Sequence, residues 1–127
     1  MKERLRASPR AHIIAVGQND GFGGWCECSE CSALDEKEGS HSATLINFVN
    51  QVADIVGEEF PDVALGTWSY LYTKKPPKTV RPRPNVVVAI APIQNCLSHP
   101  AATDDVDHNT ALRLLAYASG SYSEYSS

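Results

Sequence analysis

Cys26, Cys28 and Cys31 fall inside one short stretch, HIIAVGQNDGFGGWCECSEC, which runs from His12 to Cys31. Their C-x-C-x-x-C spacing lets a single loop present three thiolates to one metal ion, with structural zinc the expected ion and a fourth ligand supplied from elsewhere. Cys96 and His99, which follow a later apolar run, are candidates for that ligand, and His41 is another. A disulfide pair, suited to an exported protein, and free buried thiols are the competing readings. A second C-x-x-C pair, the stronger sign of zinc, is missing. A thioredoxin-like redox role is not expected, because the cysteines are not read at a helix N-terminus following a strand.

The same stretch carries a second kind of chemistry. Ile13, Ile14, Ala15 and Val16 make a short apolar run that ends in Gly17-Gln18-Asn19-Asp20-Gly21. Such a run, closed by glycine, reads as a buried strand. In parallel α/β sheets the chemistry gathers at the carboxyl ends of strands. Asn19 and Asp20 therefore occupy a place for an acid, a base or a ligand-binding pair. The plain alternative is that Asn19-Asp20-Gly21 only makes a turn. Asp35, Glu36 and Glu38 read as solvated. Trp68, Tyr70 and Tyr72 alternate and are expected on one face of a second strand, Trp68 toward the core and the tyrosines toward a site. Gln94, Asn95 and His99 lie just past a third strand and could hydrogen-bond a polar ligand.

These residues need elements to hold them. Residues 2–8 read as a helix closed by Pro9, and 12–17 as strand one. A long loop follows from Gln18 to Gly39, with a helical turn over Cys31–Glu38. The clearest helix covers 42–59, with Ser40 or Ser42 as its N-cap. Leu45, Phe48, Val49, Val52, Ala53 and Val56 give it an apolar face, while Asn47, Asn50, Gln51, Asp54 and Glu58 lie away from it. Strand two is read at 63–71 and strand three at 86–91, the latter, VVVAIA, as a strand buried on both faces. The proline-rich TKKPPKTVRPRP between them cannot be a helix or a central strand and reads as a solvated connection. A helix over 105–118 and a frayed tail complete the chain. This order favours a parallel sheet, either doubly wound or part of a barrel.

Composition narrows the classes. A chain of 127 residues with 43% hydrophobic and 20% charged residues fits one globular domain. A net charge of −4 argues against a nucleic-acid partner. No run reaches the ~18 apolar residues of a membrane span, and no secretory signal is visible. Gly21, Gly23 and Gly24 lack the spacing of a dinucleotide-binding loop.

Taken in order, GQNDGFGGWCECSEC, ALDEKEGSHSATLINFVNQVA, YLYTKKPPKTVRPRPNVVV and CLSHP resemble the bacterial domain of unknown function 4838 family over residues 10–100. The resemblance implies a TIM barrel of the glycoside-hydrolase type, carbohydrate as substrate, and an exported protein. A full (β/α)8 barrel takes about 250 residues, so the chain is expected to be about half of one, with 1–104 the partial barrel and 105–127 the helix and tail. The missing half, or an oligomer partner, would complete it. In that setting Asp20 would act as acid/base or substrate ligand with Asn19 orienting it, since glycosidases place two carboxyl groups about the scissile bond. Trp68, Tyr70 and Tyr72 would pack on sugar rings, and Gln94, Asn95 and His99 would hold hydroxyls. A non-catalytic carbohydrate-binding module, and a small domain stapled by zinc, are the alternatives.

Overall fold

The computed structural model describes residues 1–8 and 12–91. Gln94, Asn95, Cys96 and His99, together with the helix expected at 105–118 and the tail, lie outside the described residues. The elements are α1 (Lys2–Ala7), β1 (Ile13–Ala15), α2 (Ser29–Glu38), α3 (Ser42–Gly57), β2 (Ala64–Ser69), a 3-10 turn (Leu71–Thr73) and β3 (Val86–Ile90).

The sheet is three-stranded and parallel, in the order β1-β2-β3. Ile13 pairs with Ala64, Leu65 with Val86, and Trp68 with Ala89. All three strands therefore deliver their following segments to one end. Side chains alternate between faces along each strand. Leu65, Val86 and Val88 turn toward α3 and form the core with Ile46, Val49, Ala53 and Val56. Leu5 of α1 joins the same cluster, and α1 is tied down by Arg6 and Lys2, which pair with Glu59 at 2.7 and 3.2 Å.

The opposite face of the sheet carries Ile13, Trp68 and Val87, all exposed. This corrects two expectations. β3 is buried on one face only, because α3 covers one side and Val87 stands on the other. Trp68 is not a core residue: its position in the alternation turns it away from α3, leaving it 47% exposed.

Helix α3 also rotates slightly from its expected face. Ile46 is in the core, Phe48 is exposed, and Asn50 is buried. The reason lies in the proline-rich segment, whose backbone groups cannot form a ladder. Asn50 Nδ2 donates to the Arg81 carbonyl at 2.7 Å and Asn50 Oδ1 accepts from Arg83 N–H at 2.9 Å. Buried amides satisfied twice in this way are well tolerated.

Glu38, expected to be solvated, is 2% exposed. Its carboxylate accepts from the Thr79 hydroxyl, from Thr79 N–H at 2.5 Å and from Val80 N–H at 3.1 Å. Those bonds, the Thr79 hydroxyl foremost, hold its pKa down to about 2 against the opposing effect of burial. The expected solvated connection is thus clasped to α2 at Glu38, to α3 at Asn50, and again where Arg83 meets Asp54 at 3.0 Å. Among the described residues no helix is long and apolar enough to cross a membrane.

Candidate functional site: an aromatic cleft beside a thiol cluster

The segments after β1 and β2 meet at the carboxyl end of the sheet. Val16 N–H extends the β1 ladder by donating to Gly66 O at 2.7 Å. Gln18 Nε2 then reaches the Tyr70 carbonyl at 3.3 Å, and Gln18 Oε1 contacts the Thr73 hydroxyl. Two residues on, the Tyr70 hydroxyl donates to Asp20 Oδ1 at 3.3 Å. Burial, and next the Asp20 charge, raise the Tyr70 pKa above its ordinary value, so the phenol keeps the proton this bond requires.

Tyr72 departs from the expected alternation. β2 stops at Ser69, and Leu71 takes a positive φ of 52° into the 3-10 turn. That conformation is uncommon for a side-chain-bearing residue. It throws Tyr72 across to the loop of Trp25, away from Trp68. Trp25 lies on the imidazole of His41 with ring centroids 4.1 Å apart and planes at 18°. Tyr72 closes the group, 5.5 Å from Trp25 and 6.3 Å from His41.

His41 is held from below. Its Nδ1 lies 2.8 Å from Asp35 Oδ2. The other carboxylate oxygen of Asp35 accepts from Thr44 N–H at 3.0 Å and from the Thr44 hydroxyl at 2.7 Å. Asp35 is 7% exposed, not solvated as expected. Its carboxylate satisfies a free donor in the first turn of α3, where negative charge is favoured. The α3 N-cap is His41 itself, with no side-chain cap bond, and Ser40 Oγ accepts from Ser42 N–H at 3.1 Å. His41, one of the candidates for a fourth metal ligand, is engaged with Asp35 through Nδ1 and with Trp25 through its ring face.

Two clefts flank the aromatic group. One of about 500 Å³ is lined by Trp25, Cys26, Asp35, Glu36, His41 and Tyr72, among others. The second, about 220 Å³, includes Gln18, Asn19, Trp25, Cys26, His41 and Tyr72. Asn19 thus reaches a cleft that Trp25, His41, Phe48 and Tyr72 also line. Flat rings with polar edges, beside amide and carboxylate groups, suit a ligand with apolar faces and many hydroxyls.

Next to Trp25 stand the cysteines. The sulfurs of Cys26, Cys28 and Cys31 all lie within 4.8 Å of one another, close enough to hold a metal ion. Cys28 is the N-cap of α2 and its sulfur accepts from Cys31 N–H at 3.5 Å. The premise that these cysteines avoid a helix N-terminus is therefore wrong: α2 begins at Ser29, two residues earlier than the helical turn expected from the sequence. The Cys31 N–H bond, and next Cys26, lower the Cys28 pKa. Hydrogen bonding to Cys28 and Cys26 pushes Cys31 up to about 12.

Asp20 and Tyr70, both read from the sequence as site candidates, touch each other at the rim, whereas Trp25 and the buried role of Asp35 were missed. Trp25 had a signal, its place between Gly24 and Cys26. Gly24 takes φ +90°, a conformation that favours glycine and turns the loop just before the indole. Asp35 had none, because its partners lie in the next helix.

No curated protein and no solved structure matches the chain. A family model described as "Domain of unknown function (DUF4838)" matches residues 1–116, a longer span than the motifs that carry the resemblance. The chain, a mixed α/β fold with a parallel sheet and a close cysteine cluster, belongs to the DUF4838 family.

Proposed function

We propose that the chain supplies part of a carbohydrate-active (β/α) barrel of the glycoside-hydrolase type, exported from the cell, with its sugar site at the carboxyl rim of the sheet. The observation that carries this reading is the convergence of Asp20, Tyr70 and the Trp25–His41–Tyr72 group on that rim. The apolar face of Ile13, Trp68 and Val87 also supports it, because the helix-free face of a barrel sheet is the one that packs inward. Trp68 belongs to that inward face in this reading, and Trp25 takes its expected place in the sugar platform beside Tyr72. Asp20 acts as acid/base or substrate ligand, Asn19 orients the sugar, and zinc on Cys26, Cys28 and Cys31 staples the loop that carries them.

A non-catalytic carbohydrate-binding role is the second reading. It is favoured by Asp35, whose carboxylate is committed to Thr44 and His41, whereas a glycosidase needs two carboxyl groups facing the bond. Turnover of a panel of aryl glycosides by the full protein and its Asp20→Asn variant separates the two. Hydrolysis is expected to fall by about 10²-fold or more with oligosaccharide affinity nearly unchanged. Equal turnover by the variant removes Asp20 from catalysis. Binding without hydrolysis by either protein establishes the second reading.

A further inference from the structure

The thiol cluster and the aromatic group are joined by one peptide bond, between Trp25 and Cys26. Cys26 lines both clefts. Among the described residues, no backbone-to-backbone hydrogen bond ties residues 21–27 to the rest of the fold. Phe22 in this segment is 80% exposed. The segment therefore hangs between two fixings, the Asp20–Tyr70 bond at its start and the start of α2 at its end. Between them, side-chain packing on His41 and Tyr72 and the placement of the sulfurs set where Trp25 sits.

We infer that a thiophilic metal ion held by Cys26, Cys28 and Cys31 sets the position of Trp25 on His41, so that the aromatic wall of the cleft depends on the metal. This rests on reading the cysteines as a zinc site. The geometry fits such an ion. In a tetrahedral zinc–thiolate centre with bonds of about 2.3 Å, sulfurs lie about 3.8 Å apart. The three thiols, within 4.8 Å of one another, reach that spacing by shifts on the order of 1 Å. Cys28 already receives a backbone N–H from Cys31, an interaction that favours the thiolate form a metal requires. On ligation each thiol releases its proton to solvent and its sulfur lone pair goes to the metal. Closing the thiols draws Cys26 toward α2, and the neighbouring indole moves with it. Two-way coupling is then required: whatever fixes Trp25 tightens the metal, and the metal fixes Trp25.

The test uses the full chain in reducing, metal-free buffer with Trp68→Phe, which leaves Trp25 as the sole tryptophan. Zinc chloride is titrated against a chromophoric chelator to read binding, while Trp25 fluorescence is followed in parallel. The expected result is one zinc per chain, with a Trp25 emission shift that saturates at the same point and is reversed by EDTA. Cys28→Ser loses both signals. His41→Ala, which leaves the sulfurs intact, still binds one zinc but more weakly, and loses most of the emission shift. Equimolar zinc binding with unchanged Trp25 emission overturns the inference and leaves the zinc site standing. Absence of zinc binding at chain-equivalent concentration overturns the zinc site and the inference with it.

Discussion

His41 Nδ1 lies 2.8 Å from Asp35 Oδ2, and the indole of Trp25 stacks on the face of the same imidazole. One buried carboxylate thereby does two things: it fixes the first turn of α3 through Thr44 and fixes the ring on which Trp25 rests. Removing it should register in both places. Asp35→Ala is expected to cost about 1 kcal/mol of stability, the usual effect of losing a helix-capping acceptor. It should also loosen the Trp25 stack, seen as a change in Trp25 emission in a Trp68→Phe background. A stability loss with the Trp25 signal unmoved would mean that the stack stands without Asp35.

Glu38 makes acid stability a sensitive measure of the proline-rich crossover. Its carboxyl titrates near 4.5 when free and near 2 in the fold, so the folded chain favours the ionised form. The stabilisation is complete above about pH 4.5 and disappears as pH falls toward 2. Chemical denaturation between pH 7 and pH 2 should show this decline, and Glu38→Gln should be less stable at pH 7 and flatter across the acid range. An acid limb of the same steepness in the variant would assign the decline to other carboxylates.

Thr67 points into the core beneath α3, and its hydroxyl is buried with no hydrogen-bond partner among the described residues. An unmatched buried hydroxyl costs about 1–3 kcal/mol. Thr67→Val keeps the shape and removes the hydroxyl, so it should raise stability by about 1 kcal/mol, with a melting temperature higher by a few degrees. A lower melting temperature would mean that the hydroxyl has a partner in solution.

The parts of this architecture that were legible in the sequence are those fixed by burial on one side. The three- and four-residue spacing of apolar residues marked α3, with an end two residues later than the observed Gly57. The apolar runs at Ile13, Ala64 and Val86 marked the strands and their common direction. What was hidden depends on polar partners far along the chain. Glu38 looks like a surface charge until Thr79 and Val80 are placed beside it. Asn50 looks like a surface amide until Arg81 and Arg83 present their backbone to it. The even alternation of Trp68, Tyr70 and Tyr72 gave no warning of the turn at Leu71 that parts Tyr72 from Trp68.

The central claim is that a sugar sits against Trp25 at the carboxyl rim of the sheet. Its most direct test is the indole N–H resonance of Trp25 in the Trp68→Phe chain, followed by NMR while defined cello-, xylo-, chito- and galacto-oligosaccharides are added in turn. At least one of these sugars is predicted to shift that resonance in a saturable way and to move the amides of Asn19 and Asp20 with it. Saturable binding that leaves Trp25, Asn19 and Asp20 unmoved, or no response to any of these sugars, would contradict the account.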